Sequence, residues 1–272
     1  MIRIEGQEIL QKNFPDNSLL LKLDNIDLSC GGITIDWFYE NDAELFTLIC
    51  VKRYLDDNFN RKPVYLNMPY LPHARMDRVK NEEDVFTLKY FCEVINSLGF
   101  SAVYVRDAHS NVSLALIDRV INFSVEFYIH KAAVLSKANA IFYPDEGAMK
   151  RYSDQSKLPY AFGMKKRDWK TGEILGLDII NPENIVGKDV LIVDDICSRG
   201  GTFYHSAKAL KEAGAKSVSL YVTHLEETVT HGELARTDYL IDHIYTTKSI
   251  FPEFLFEDPY DPYWRQWITI LK

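Results

Sequence analysis

The chain predicts an α/β fold built on parallel sheets, and three observations predict it. Short apolar, β-branched runs recur (Ala140–Tyr143, Asp189–Val193, Ser217–Val222), segments of helical period lie between such runs, and glycines close two of those segments, at Gly99 and Gly214. Strands alternating with helices of this length need right-handed crossovers, and the resulting sheets bind ligands beyond the carboxyl ends of their strands.

In chain order, Leu45–Tyr54 has helical spacing and Lys62–Met68 reads as a buried strand. Val85–Leu98 is an amphipathic helix stopped by Gly99, and Ala102–Arg106 is the next strand. Ala140–Tyr143 forms another strand and runs into Pro144-Asp145. Asp189–Val193 is a β-branched run that ends in two aspartates, Thr202–Ala213 is a helix closed by Gly214, and Ser217–Val222 is the strand after it. A break near Ser136–Asn139 divides the chain into two α/β units of similar size, residues 1–137 and 138–250. Residues 251–272, rich in Pro, Asp, Tyr and Trp, read as an irregular tail packing back on the body.

Bulk properties narrow the function. The 272 residues are 47% hydrophobic and 26% charged, as in water-soluble globular proteins. A net charge of −8 argues against a nucleic-acid partner, although a polyanion can still bind where cations, backbone N–H groups or a metal ion concentrate. Cys30, Cys50, Cys92 and Cys197 form no CxxC pair and no zinc spacing, which predicts reduced thiols and a cytoplasmic protein. The start of the chain has no apolar signal-peptide core, and no apolar run approaches the roughly 20 residues that span a bilayer.

Two segments carry chemistry. After the strand at 189–193 come Asp194 and Asp195, then Ile-Cys-Ser198-Arg199-Gly200-Gly201-Thr202 and a helix. Paired carboxylates accept hydrogen bonds from vicinal ribose hydroxyls. Adjacent glycines let backbone approach a phosphate, and a helix N-terminus with a threonine hydroxyl supplies donors and a favourable dipole. The second segment, Asn67 to Arg78, places two prolines and an aromatic after a strand and follows them with Arg75, Met76, Asp77 and Arg78. Arginine pairs of this kind can clamp a triphosphate.

The first segment resembles the ribose-phosphate loop shared by phosphoribosyl pyrophosphate (PRPP) synthetases and type I phosphoribosyltransferases. The second resembles the ATP-binding stretch of PRPP synthetases, which ordinary transferases lack. The resemblance covers roughly residues 10–250. Phe14-Pro15-Asp16 is similar to an early loop that reaches the nucleotide of a neighbouring subunit, and Asp107-Ala108-His109 to a strand-end histidine on Mg-ATP. Tyr143 to Gly147 is similar to a Pro-Asp-x-Gly turn whose aspartate, here Asp145, contacts ribose or metal. Met164-Lys165-Lys166-Arg167 is similar to a mobile loop with a catalytic lysine and arginine, and Thr223-His224 to a late strand end. Singly, His109, Asp145 and the basic run each fit a structural role; their order and spacing together carry the likeness.

The resemblance implies two similar type I phosphoribosyltransferase-like domains, each a mainly parallel sheet flanked by helices. It implies transfer of the β,γ-diphosphoryl group of ATP to the C1 hydroxyl of ribose 5-phosphate, with Mg2+ as cofactor. Lys165 and Arg167 would be catalytic; Phe14, Asp16, Arg75, Met76, Asp77, Arg78 and His109 would bind ATP. Asp145, Asp194, Asp195, Ser198, Arg199, Gly200, Gly201 and Thr202 would bind ribose phosphate, and His109 and Asp145 the metal. A homo-oligomer, dimer or hexamer, is implied as well. Departures are Ser18 for a usual glutamate, Met76 for a glutamine, Val79–Asp84 for a basic loop, and Ser198-Arg199 for Asp-Thr. The last adds positive charge beside the 5′-phosphate, so ADP-ribose, as in NAD salvage, is the alternative acceptor. A phosphoribosyltransferase and an inactive regulatory homologue are the alternatives of other classes.

Overall fold

The computed structural model describes residues 1–23, 26–28, 31–59, 62–167, 174–236, 240–252 and 266–272, with side chains at all of these except 165–167, 174–176 and 236. The chain divides into two compact units, Met1–Ser124 and Val125–Lys272.

The first unit contains β1 (Ile2–Ile4), β2 (Gln7–Glu8), β3 (Leu10–Asn13), β4 (Leu19–Lys22), β5 (Ile33–Trp37), α1 (Ala43–Asn58), β6 (Val64–Asn67), α2 (Thr87–Ser97), β7 (Ala102–Arg106), α3 (Asn111–Leu116) and β8 (Val120–Phe123). Among the described residues its main sheet runs β2-β1-β5-β6-β7-β8, parallel from β5 to β8 and antiparallel at β1 and β2. Ile33, Ile35, Leu66, Val103 and Val105 bury against Leu48, Val51 and Leu55 of α1 and Leu88, Phe91 and Ile95 of α2. β3 and β4 form a separate exposed hairpin.

The second unit contains α4 (Glu126–Ser136), β9 (Ala140–Tyr143), α5 (Glu146–Tyr152), β10 (Tyr160–Arg167), β11 (Ile174–Ile180), β12 (Asp189–Cys197), α6 (Gly201–Glu212), β13 (Ser217–Leu225), β14 (His243–Thr247) and β15 (Ile268–Leu271). Among the described residues the sheet order is β11-β10-β9-β12-β13-β14-β15, parallel except for the β10–β11 pair. Period-2 alternation splits its central strands between two cores. Phe142, Val190, Ile192, Val218 and Leu220 pack with Phe203, Ala207 and Leu210 of α6. Ile141, Tyr143, Leu191 and Val193 pack on the other face, with Ile129, Ala132 and Ala133 of α4 and Ala148 and Tyr152 of α5. Strands covered on both faces read as continuous apolar runs, which is why these were visible in the sequence.

Four features differ from the sequence expectation. Helix α4, placed before the break at Ser136–Asn139, packs inside the second unit, because its small residues Ala132 and Ala133 lie on that sheet. The tail is not irregular throughout, since Ile268–Leu271 adds a parallel edge strand along β14. Strand β12 continues through Asp194 and Asp195 to Cys197, carried by its ladder to β13. Met164–Arg167, expected in a loop, belongs to β10 in a two-stranded ribbon with β11. Among the described residues no helix is long and apolar enough to cross a membrane.

Candidate active site

In the first unit the candidates Arg75–Arg78 and His109 follow β6 and β7, which are adjacent and parallel, so both connections leave the same carboxyl edge. The segment after β6 is anchored at His73, whose Nε2 lies 3.0 Å from Asp42 Oδ1 and whose backbone is left-handed at φ 61°. The Tyr39 hydroxyl donates to the same Asp42 oxygen at 2.9 Å, and the His73 ring packs on Phe91 at 5.2 Å. This anchor presents Arg75 and Arg78 to solvent and leaves Met76 and Asp77 half-buried. The Arg78 guanidinium leans on Asp77, with Nε 3.6 Å from Oδ1.

His109 is half-buried just past Asp107. Asp107 has φ 49°, and the Ala108 N–H donates to Asn122 Oδ1 at 3.2 Å, which ties the turn to the end of β8. Phe14 and Asp16 sit in the exposed β3–β4 turn. There the Ser18 hydroxyl and backbone N–H both donate to Asp16 Oδ1, at 2.6 and 3.0 Å, and hold its carboxyl below the usual range, the hydroxyl contributing most. Ser18 therefore closes this turn. A cavity of about 770 Å3 lies beside it, lined by Glu8, Asn13, Ser18, Glu40 and Thr47 among others; Arg75 and His109 are not on its wall.

In the second unit the candidates Asp145 and Asp194–Thr202 lie toward the carboxyl ends of the adjacent parallel strands β9 and β12. Asp145 caps α5, its Oδ1 accepting the Ala148 N–H at 3.1 Å. Asp194 Oδ1 accepts the Asp195 N–H at 2.9 Å. The low-polarity surroundings of the Asp194 carboxyl push its pKa well above the ordinary carboxylate value; the charge of Asp195 adds to this, that of Asp145 adds less, and the Asp195 N–H bond opposes it. Asp195 is 6% exposed, and its Oδ2 lies 3.2 Å from Arg151 Nη1.

Arg151 was not anticipated. Lys150-Arg151 reads as a solvated basic pair, yet Arg151 lies three positions after Ala148 on the sheet-facing side of α5, a spacing that was available in the sequence.

The Ser198–Thr202 loop is braced by residues 226–234. The Ser198 hydroxyl meets that of Thr228 at 3.0 Å, and the Glu233 N–H donates to the Arg199 carbonyl at 2.9 Å. Gly200 has φ 82° at the start of α6, and a Cβ there would stand 2.4 Å from Leu234 Cγ. At Gly232 a Cβ would stand 2.0 Å from the Arg199 carbonyl oxygen. Gly232→Ala is therefore expected to push two backbones apart and destabilise the unit by about 1–3 kcal/mol, read as a lower Tm in calorimetry.

Gly201 and Thr202 open α6, and the Arg199 side chain is exposed. His224 is buried, opposite Ile196 in the ladder. Lys165 and Arg167 lie on the far part of β10, past Phe162, where pairing to β9 ends; their side chains are outside the described residues. The sequence thus places its ribose-side candidates on one strand edge and its ATP-side loops on another, with Phe14 and Asp16 apart on the hairpin. Among the described residues no three His, Cys, Asp or Glu side chains form a cation cage.

Comparison with known proteins bears on these arrangements. The phosphoribosyl transferase domain family matches residues 149–255. A ribose-phosphate pyrophosphokinase from Saccharolobus solfataricus is 28% identical over 192 residues, 69% of this chain and 65% of that protein, so the match spans just under two thirds of its length. The one from Thermococcus kodakarensis is 27% identical over 265 residues, covering 92% of this chain and 89% of the relative. Ribose-phosphate pyrophosphokinase 2 of Archaeoglobus fulgidus is 30% identical over 222 residues, 78% of this chain and 74% of that one.

The chain belongs to the ribose-phosphate pyrophosphokinase family.

The crystal structure of the phosphoribosylpyrophosphate synthetase from Mycobacterium smegmatis matches with a TM-score of 0.69 at 18% identity, over 97% of this chain and 85% of that one. At that identity the likeness concerns the fold: two mainly parallel sheets flanked by helices, the architecture of the pyrophosphokinase family. The transferase-domain match falls wholly within the second unit and includes the Asp194–Thr202 segment.

Proposed function

We propose that the chain is a ribose-phosphate diphosphokinase. The C1 hydroxyl of ribose 5-phosphate attacks the β-phosphorus of Mg-ATP, the bond from that phosphorus to the α-phosphate oxygen breaks, AMP leaves, and the hydroxyl proton is released. The observation that carries this reading is the presence in one chain of both a sugar-phosphate loop at a parallel strand edge, Asp194–Thr202, and a cationic loop at another, Arg75–Arg78. A transferase needs only the first.

Each group has a physical task. Asp194 and Asp195 accept the ribose hydroxyls, while the N–H groups of Gly201 and Thr202 and the Thr202 hydroxyl receive the 5′-phosphate at the start of α6. Arg75 and Arg78 hold phosphate oxygens, and Phe14 and Asp16 flank the nucleotide. Mg2+ would neutralise charge on the nucleotide's phosphates and takes few protein ligands; His109 in the first unit and Asp145 in the second are each proposed to offer one. Lys165 and Arg167 stabilise charge on the group in transit. Little covalent chemistry falls to the protein, whose work is positioning.

The test is direct. Incubated with Mg-ATP, the protein should release AMP only when ribose 5-phosphate is added, one AMP per new 1-diphosphate. AMP release indifferent to the sugar, or none with any sugar phosphate, would overturn the proposal. One observation favours a second acceptor: the exposed guanidinium of Arg199 beside the phosphate loop suits a further anionic group, as on ADP-ribose. A parallel incubation with ADP-ribose decides between the two.

A further inference from the structure

Arg151 carries no role in the chemistry just described, yet it touches that chemistry's most buried carboxylate. We infer that Arg151 is a positioning residue, its guanidinium holding the Asp195 carboxylate fixed so that it can accept the ribose hydroxyls of the acceptor. This role rests on the sugar-phosphate reading of the Asp194–Thr202 segment.

The placement follows from the fold. Odd-numbered residues of β12, such as Leu191 and Val193, face α4 and α5. Asp195 continues that parity onto the α5 side, where Ala148 and Tyr152 anchor the helix to the sheet and Arg151 stands beside Tyr152. The result is the 3.2 Å contact between Arg151 Nη1 and Asp195 Oδ2, with the arginine side chain 29% exposed and the aspartate side chain 8%. A surface ion pair between two free side chains would contribute little. Here both partners are fixed to packed elements, and a carboxylate this far from water needs a cation or donors to remain charged.

Other contacts hold the guanidinium in place. Its carbon lies 5.7 Å from the Tyr152 ring centroid, and the Tyr152 carbonyl in turn accepts the Tyr143 hydroxyl at 3.2 Å. Arg151 also sits in the last turn of α5, where the helix dipole favours a cation. The need for it is local. Asp145, Asp194 and Asp195 share the ends of two neighbouring strands, and Asp194 responds to the charges of both others. Without the Arg151 guanidinium, Asp195 would turn away from its neighbour, which removes an acceptor from the position a vicinal diol would use. Arg151 thus acts through Asp195 and need not touch the sugar.

A merely structural pair would alter stability and leave sugar affinity intact, so the test measures binding. Ribose 5-phosphate is titrated calorimetrically into the full chain, the Arg151→Met and Asp195→Asn variants, and the double variant. Arg151→Met is expected to weaken binding on the order of tenfold or more in the native background and less than about threefold in the Asp195→Asn background, because the two changes remove one interaction. Arg151→Lys should recover part of the loss, since it restores the charge without the planar fork. Equal losses in both backgrounds, or no loss in the native one, would overturn the role. The two readings fail differently. If the unmodified protein does not bind ribose 5-phosphate, the sugar-phosphate reading falls and takes this one with it. If it binds and Arg151→Met binds equally well, only the role of Arg151 falls.

Discussion

Asp194→Asn is expected to stabilise the folded protein at neutral pH while weakening its hold on the sugar phosphate. The carboxyl of Asp194 is raised well above its ordinary value, first by its low-polarity surroundings and then by the charge of Asp195. A group whose folded pKa exceeds its unfolded value favours folding fully below the unfolded value, near 4 for aspartate, and that contribution is lost as pH rises through the folded value. Wild-type Tm should therefore fall as pH rises through that window and the half-buried Asp194 carboxyl gives up its proton. The asparagine variant has no such proton to lose, so its Tm should change less there and exceed that of the wild type at pH 7. The Asp195 N–H bond survives, because the amide oxygen of asparagine can accept it. Affinity moves the other way: a charged acceptor for a hydroxyl becomes a neutral amide, and loss of a charge-assisted hydrogen bond costs about 1.5–3 kcal/mol, or roughly ten- to a hundredfold in Kd. Calorimetric scans at several pH values and a ribose 5-phosphate titration check both halves. A variant less stable than the wild type at pH 7 would show that the carboxylate is not strained in the apo protein.

That tension bears on how the site could be read from sequence. Two aspartates following an apolar run are costly in any fold, and this cost marked Asp194 and Asp195 as candidates in the sequence. The strands β9, β12 and β13 were legible because burial on both faces removes polar alternation, and helices α2 and α6 because Gly99 and Gly214 stop them. The rest was hidden for definite reasons. β1 and β2 are too short to reveal a period, although Ile2 and Ile4 of β1 are buried, and β3 is exposed at every residue. Helix α4 exposes Phe127, Val134 and Leu135, which blurs its amphipathic stripe and disguised which unit it belongs to. Arg151 was not singled out, because its partner lies more than forty positions away, on strand β12.

The Lys165-Lys166-Arg167 run stood out in the sequence as a candidate for chemistry, but its place in a strand did not. Lys165→Ala is expected to lower kcat by on the order of 10²- to 10³-fold with small changes in either KM, the behaviour of a cation that matters only when charge moves. The backbone supports such timing. Among the described residues β10 pairs with β9 only as far as Phe162 and beyond it pairs with β11, with a register slip between Lys166 and Arg167. An isolated two-stranded ribbon is marginally stable in water. Cations carried on one are thus well suited to engage once a polyanion supplies the missing contacts, and to contribute less to ground-state binding. Arg167→Ala should fall in the same range. The double variant should lose less than the product of the single effects if both cations serve the same transferring phosphoryl group. Steady-state AMP release at saturating ATP and ribose 5-phosphate, together with single-turnover rates, separates these outcomes. Turnover unchanged in Lys165→Ala would remove the ribbon from the mechanism. A rise in the KM for ATP at constant kcat would make it a binding arm instead.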